Sequence, residues 1–196
     1  MSMRRMGHRV LFDTNTLIDA VDSTRAHSEA ACRALEYCNG GGDMGIVSPS
    51  SLNDAYYVLR KQYGEPWARK TIKLLLDLLV VLPFGPEECI ISADSNEPDF
   101  EDGMIRAAAE LNDVDFILTR DVKAFNHSTV RSITCETYLE IIASKDREAK
   151  PPLAMEKPGR LRRPGNGKHS LSGSARVEGA PLHRASPDCH IYLHRI

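Results

Sequence analysis

Short apolar runs alternate with longer amphipathic ones from residue 9 to residue 145. Residues 10–12 (Val-Leu-Phe), 45–47 (Gly-Ile-Val), 80–82 (Val-Val-Leu) and 116–118 (Phe-Ile-Leu) are too short for helices and too apolar for surface loops. They read as strands, with residues 130–134 as a fifth. The segments between them follow a helical period. Thr14 caps a helix carrying Leu17, Ile18 and Val21. Residues 27–37 place Ala31, Ala34 and Leu35 on one side and stop at Asn39-Gly40-Gly41-Gly42. Ser48-Pro49-Ser50-Ser51 opens a helix over 52–63 that Gly64 closes. Pro66 opens the next, with Ile72, Leu75, Leu76 and Leu79 on its buried side. Pro86 begins a short helix to about residue 93, and residues 100–111 and 136–144 supply the last two. Apolar strands separated by helices predict an α/β fold in three layers, a central parallel sheet flanked by helices on both faces.

The pattern stops after Lys150. Residues 151–196 hold six of the eleven prolines, five glycines and no apolar periodicity, so a domain over residues 8–146 is expected to be followed by a basic, Pro/Gly-rich, disordered tail. Charge divides in the same way. The 196-residue chain carries -2 overall, but the tail carries +5 and residues 1–150 carry -7. A body this acidic does not grip a polyanion by bulk charge, and any phosphate chemistry needs a local source of positive charge. The five cysteines are odd in number and lack metal-site spacing, which predicts reduced thiols in a cytosol. Cys189, His190 and His194 in the tail have no scaffold to fix a metal geometry. The basic start is followed by too short an apolar run for a secretory signal, and no stretch reaches the roughly 18 apolar residues of a membrane span. A cytoplasmic protein without membrane contact is expected.

Four carboxylates fall where a parallel sheet presents ligands, beyond the carboxyl ends of its strands. Asp13 follows the first strand directly, and Asp121 follows the strand at 116–118 after Thr119 and Arg120. Asp54 lies in the first turns of the helix after the second strand, and Asp102 opens the helix at 100–111. Helix capping accounts for any one of them; four on one edge ask for more. Clustered carboxylates must share protons or hold a hard divalent cation. Mg²⁺ or Mn²⁺ is the economical answer, because an acidic pocket loaded with such an ion also binds a phosphodiester.

These residues carry a resemblance. Val-Leu-Phe-Asp-Thr-Asn-Thr-Leu-Ile-Asp (residues 10–19) is similar to the opening of PIN-domain nucleases, where a strand ends in Asp-x-Asn. The segment from Ser48 to Lys61 resembles the family's second motif, whose acid is more often Glu and here is Asp54. Asp-Phe-Glu-Asp-Gly-Met-Ile-Arg-Ala-Ala-Ala (residues 99–109) resembles the third, placing the acid at Asp102, with Gly103 where a small residue such as Ala is commoner. Phe-Ile-Leu-Thr-Arg-Asp-Val-Lys-Ala-Phe (residues 116–125) resembles the fourth, with Thr119 and Asp121. The resemblance covers residues 10–144, and within the family it is nearest to VapC-like toxins of toxin–antitoxin pairs. It implies a metal-dependent endoribonuclease with an RNA substrate and a cognate antitoxin protein as partner; a homodimer is also expected.

On this reading Asp13, Asp102 and Asp121 ligate Mg²⁺ or Mn²⁺, and Asp54 is a further ligand or a base behind them. Asn15 and Thr119 orient a carboxylate or a metal-bound water, unless they only cap the turns that follow. Arg120 and Lys123 contact substrate phosphate, unless they are solvated surface charges. Tyr56 and Tyr57 suit base stacking less well than half-buried packing, and the 74–79 leucine run serves core or dimer packing. Two other classes remain. A catalytically inert PIN-like module binding RNA or protein would show a lost carboxylate, and none is lost. A phosphotransfer receiver would place Lys after its last strand, where this chain has Cys135-Glu136.

Overall fold

The computed structural model describes residues 7–97 and 99–149. The tail expected at residues 151–196 lies outside them. Chain order is β1 (Arg9–Phe12), α1 (Thr14–Val21), α2 (Ser28–Asn39), β2 (Met44–Val47), α3 (Pro49–Tyr63), α4 (Glu65–Leu78), β3 (Val80–Val81), α5 (Pro86–Ala93), α6 (Phe100–Leu111), β4 (Phe116–Leu118), a 3-10 turn (Val122–Phe125), β5 (Arg131–Ile133) and α7 (Cys135–Ala149). All strand pairs are parallel, in the order β3-β2-β1-β4-β5. The chain therefore builds outward from β1 through β2 and β3, then returns to the other side of β1 for β4 and β5. That reversal lies between β1 and β4, where open parallel sheets place their ligand crevice.

The alternation along each strand makes the three layers. Val10 and Phe12 of β1, with Val47, Phe116, Leu118 and Ile133, face a core shared with α1, α2, α3, α4 and α7. Leu11, Ile46 and Ile117 point the other way, against Ile105, Ala108 and Ala109 of α6 and against Phe125. The α/β fold with a central parallel sheet is as the sequence predicts. No helix among the described residues is long and apolar enough to cross a membrane.

Four details differ from the sequence reading. Asp13, not Thr14, caps α1, because its carboxylate accepts the Thr14 N–H. The short β3 is an exposed edge rather than a strand buried on both faces. Leu76 is 46% exposed, on the far side of α4 from Leu75; residues one apart on a helix diverge by about 100°. The last helix runs on to Ala149, five residues beyond its expected end.

Gly103 has a structural reason. A Cβ there would run into the Ser92 side chain on α5, whose hydroxyl donates to the Phe100 carbonyl at 2.7 Å. The two helices are drawn together so closely that only glycine fits. This contact fixes where the N-terminus of α6 meets the sheet edge.

Candidate active site

β1 and β4 run in register, Phe12 beside Leu118, so the residues that follow them emerge side by side. The Asp13 N–H extends the ladder by one bond to the Leu118 carbonyl, 3.0 Å. Its carboxylate is then held at both oxygens: Oδ1 accepts the Thr14 N–H at 2.6 Å and Oδ2 accepts the Thr119 hydroxyl at 3.1 Å. The same Thr119 oxygen accepts the Asp121 N–H at 3.1 Å. One threonine thus ties the carboxylate after β1 to the backbone that carries the carboxylate after β4. Asp121 in turn caps the 3-10 turn, accepting the N–H groups of Lys123 and Ala124 at 3.2 and 3.3 Å.

α6 brings its first turn to the same place. Asp99 caps it by accepting the Glu101 N–H at 2.8 Å, and the Glu101 carboxylate accepts the Thr14 hydroxyl at 2.8 Å. The approach to α6 is anchored by Glu97, a buried carboxylate bound to Arg106 at 2.7 Å; Arg106 also bridges to Glu110, which accepts the Thr129 N–H at 2.8 Å.

The electrostatics record the crowding. Burial pushes the Asp13 carboxyl up to about 6; the Thr119 and Thr14 hydrogen bonds and the Arg120 charge pull against this, and Glu101 adds to it. Burial also lifts Asp102 to about 6, followed by repulsion from Asp13, Asp99, Asp121 and Glu97. Glu101 is raised by burial and by Asp54 and Asp102, against the Thr14 hydrogen bond. The repulsions felt at Asp102 and Glu101 put these carboxylates within mutual electrostatic reach.

A family model described as a PIN domain matches residues 9–123. The chain belongs to the PIN-domain family. The match runs from β1 into the 3-10 turn and so includes all four carboxylates singled out in the sequence. No curated protein sequence matches the chain. Solved structures similar to this PIN domain include the toxin VapC20 of Mycobacterium tuberculosis, described as sarcin–ricin loop cleaving. It is 14% identical at TM-score 0.50, over 59% of this chain and 92% of that one. VapBC2 of Rickettsia felis, solved on a DNA fragment of its promoter, is 14% identical at TM-score 0.50, over 64% and 97%. PAE2754 of Pyrobaculum aerophilum is 18% identical at TM-score 0.52, over 71% and 98%. At these identities the likeness is one of fold.

Within this PIN domain the expected residues do not all meet. Asp13, Asp102 and Asp121 share one cluster. Asp54, on α3, reaches it through Glu101. Thr119 binds Asp13 as expected of an orienting group, whereas Asn15 binds no carboxylate and instead accepts from Arg120 at 2.7 Å. Lys123 gives Asp121 its backbone N–H, and no contact of its ammonium is seen among the described residues. Tyr56 packs on the core beneath Arg69, and Tyr57 is exposed.

Sequence reasoning passed over Glu101, Asp99 and Asp19. The signal for the first two was the run Asp-Phe-Glu-Asp, three acids within four residues at a helix start. The signal for Asp19 was a lone acid among Leu17, Ile18, Ala20 and Val21.

The donors suit a hard divalent ion, being carboxylate oxygens without nearby thiol or imidazole ligands. Among the described residues no three His, Cys, Asp or Glu side chains already close on one point. Mg²⁺ tolerates that, because it keeps several waters and takes only one or two carboxylates directly. Burial disfavours the charged forms of Asp13 and Asp102, neighbouring carboxylates add to this at Asp102, and a cation bound there would favour ionisation.

Proposed function

We propose that this PIN-domain chain is a metal-dependent endoribonuclease that hydrolyses RNA phosphodiester bonds, and the toxin of a toxin–antitoxin pair. The observation that carries the reading is the linkage Asp121 N–H to Thr119 to Asp13, with Asp102 in electrostatic contact with both aspartates, at the reversal point of the sheet. It supports a site built to gather negative charge where a ligand binds. The sarcin–ricin loop cleavage named for VapC20, and the pairing of VapBC2 with its promoter DNA, support RNA as the substrate and an antitoxin as the partner.

Asp13, Asp102 and Asp121 would hold Mg²⁺ or Mn²⁺. The ion supplies an acidified water and charge neutralisation on the phosphodiester. Thr119 keeps Oδ2 of Asp13 in one orientation, so the carboxylate is positioned before substrate arrives. Asp121 is fixed by two backbone N–H groups, which leaves less conformational freedom to lose on binding. Asp54, whose carboxylate is felt at Glu101, would serve as the base that accepts the proton of the attacking water. Attack by water leaves the neighbouring ribose 2′-hydroxyl without a role.

That last point gives the test. An RNA carrying a single 2′-deoxy nucleotide at the cleaved position is incubated with the full chain and Mn²⁺. Cleavage at the normal rate, with no 2′,3′-cyclic phosphate product, is expected. Loss of cleavage at the deoxy position, or a cyclic product, would show that the 2′-hydroxyl is the nucleophile and overturn the water mechanism.

A further inference from the structure

Asp19 has no part in the chemistry above, yet it is the most deeply buried acid of this region at 1% exposed. It lies on α1 four residues after Asn15, on the same helix face. Arg25 Nε donates to its Oδ1. Its Oδ2 faces Arg120 Nε at 3.4 Å and has no hydrogen bond among the described residues. A carboxylate buried with one oxygen unsatisfied is costly, and an apolar side chain would serve the packing of α1 better. Stability does not explain it.

Arg120 does. Its Nε faces Asp19 and its Nη2 donates to Asn15 Oδ1 at 2.7 Å, so two points fix the plane of the guanidinium. Asn15 is held in turn by Arg25 Nη2 at 3.5 Å. Arg120 follows Thr119 and precedes Asp121, and its charge is felt at Asp13, which places it on the rim of the carboxylate cluster. Nη1 makes no hydrogen bond among the described residues, and the side chain is 38% exposed. Asp19 and Asn15 thus hold the guanidinium by Nε and Nη2, on the side of the half-exposed group that faces α1.

We propose that Asp19 is a positioning residue that clamps Arg120, with Asn15 as the second brace, so that the outward edge of the guanidinium binds an RNA phosphate next to the one being cleaved. The inference rests on the nuclease reading and extends it to substrate binding. It supplies the local positive charge that the acidic body lacks. A guanidinium edge offered in fixed geometry is also how arginine recognises phosphate best.

The test compares the full chain with Arg120→Ala, Asp19→Asn and the double variant. Kinetics of single-stranded RNA cleavage are measured in Mn²⁺ over a range of salt, and RNA binding by anisotropy in EDTA. Arg120→Ala should raise KM about tenfold, as loss of one charge-assisted hydrogen bond does, with a smaller change in kcat. It should also flatten the slope of log KM against log salt by about one, the signature of one lost phosphate contact. Asp19→Asn should raise KM in the same direction, and the double variant should be no worse than Arg120→Ala alone. Independent, multiplying effects, or an Asp19→Asn variant that lowers kcat while KM and salt slope stay put, would overturn the clamp. Should Asp19→Asn fail to fold, Asn15→Ala on the surface releases the other brace and must show the same non-additivity. A parent that binds RNA without cleaving it refutes the nuclease reading and leaves the clamp to be judged on binding. A parent that does neither refutes both.

Discussion

Asp13→Asn is expected to stabilise the protein while removing its activity. The Asp13 side chain is 7% exposed, and its carboxyl is lifted from an ordinary 3.8 to about 6. Each pH unit of such a lift corresponds to about 1.4 kcal/mol, so ionised Asp13 costs the folded state roughly 3 kcal/mol. Asparagine keeps one carbonyl oxygen to accept the Thr14 N–H, and it is as good a helix cap as aspartate. Its amide NH2 then meets the Thr119 hydroxyl, which must turn to accept from it, so roughly 3 kcal/mol is the upper bound of the gain. For a chain of this size roughly 3 kcal/mol is about 6–12 °C in Tm. The assay is a thermal melt followed by circular dichroism at pH 7.5 in EDTA. The sign of the pH dependence gives a second check. The folded state binds the Asp13 proton more tightly than the unfolded chain. The stability this contributes is complete below pH 3.8 and is lost as pH rises through about 6. The parent should melt higher at pH 5.5 than at pH 7.5, and the gap to Asp13→Asn should narrow at the lower pH. A variant that melts at or below the parent at pH 7.5, or a gap indifferent to pH, would refute the reasoning.

Saturating Mn²⁺ should raise the parent Tm, by the equivalent of about 2.7 kcal/mol at a hundred times Kd, and Asp102→Asn should melt higher than the parent in EDTA yet gain less from the metal; equal gains would remove Asp102 from the cluster. Gly103→Ala should cost about 1–3 kcal/mol by forcing α5 from α6, partly recovered with Ser92→Gly, as read by denaturant melts; a neutral Gly103→Ala would refute the close approach. Arg106→Ala should cost up to about 3 kcal/mol because it leaves the buried Glu97 carboxylate with only the exposed His127 imidazole at 3.4 Å, and Arg106→Ala with Glu97→Gln should recover much of that in the same melts; no recovery would mean that the loss comes from packing.

The strands and the two aspartates after them were legible because both follow from local rules. An apolar run of three or four residues has few places to go except a covered sheet, and an acid directly after it lands on the carboxyl edge. The side of α4 was harder. Leu75 and Leu76 are equally apolar, and only the packing of α4 on α3 decides that Leu75 enters the core. Thr14 and Asp13 compete for one cap, and Asp13 wins because the ladder bond to Leu118 already holds its backbone extended. The position of Asp54 and Asp102 on the carboxyl edge was legible in the sequence, whereas the contact of Glu101 with this edge was not. Its significance comes from the Thr14 hydroxyl, 87 residues away in sequence. Asp19 was hidden for the same reason: its burial is plain from its neighbours, but its partner Arg120 is brought to it only by the pairing of β1 with β4.

The most direct test of the central claim is single-turnover cleavage of a single-stranded RNA by the full chain in Mn²⁺, beside Asp121→Asn and beside the parent in EDTA. The account expects cleavage by the parent that EDTA abolishes and excess Mn²⁺ restores. It also expects Asp121→Asn to remain folded with its rate reduced by two or more orders of magnitude, the scale of the several kcal/mol a metal supplies to the transition state. Cleavage that persists in EDTA, or an Asp121→Asn protein as active as the parent, would contradict it.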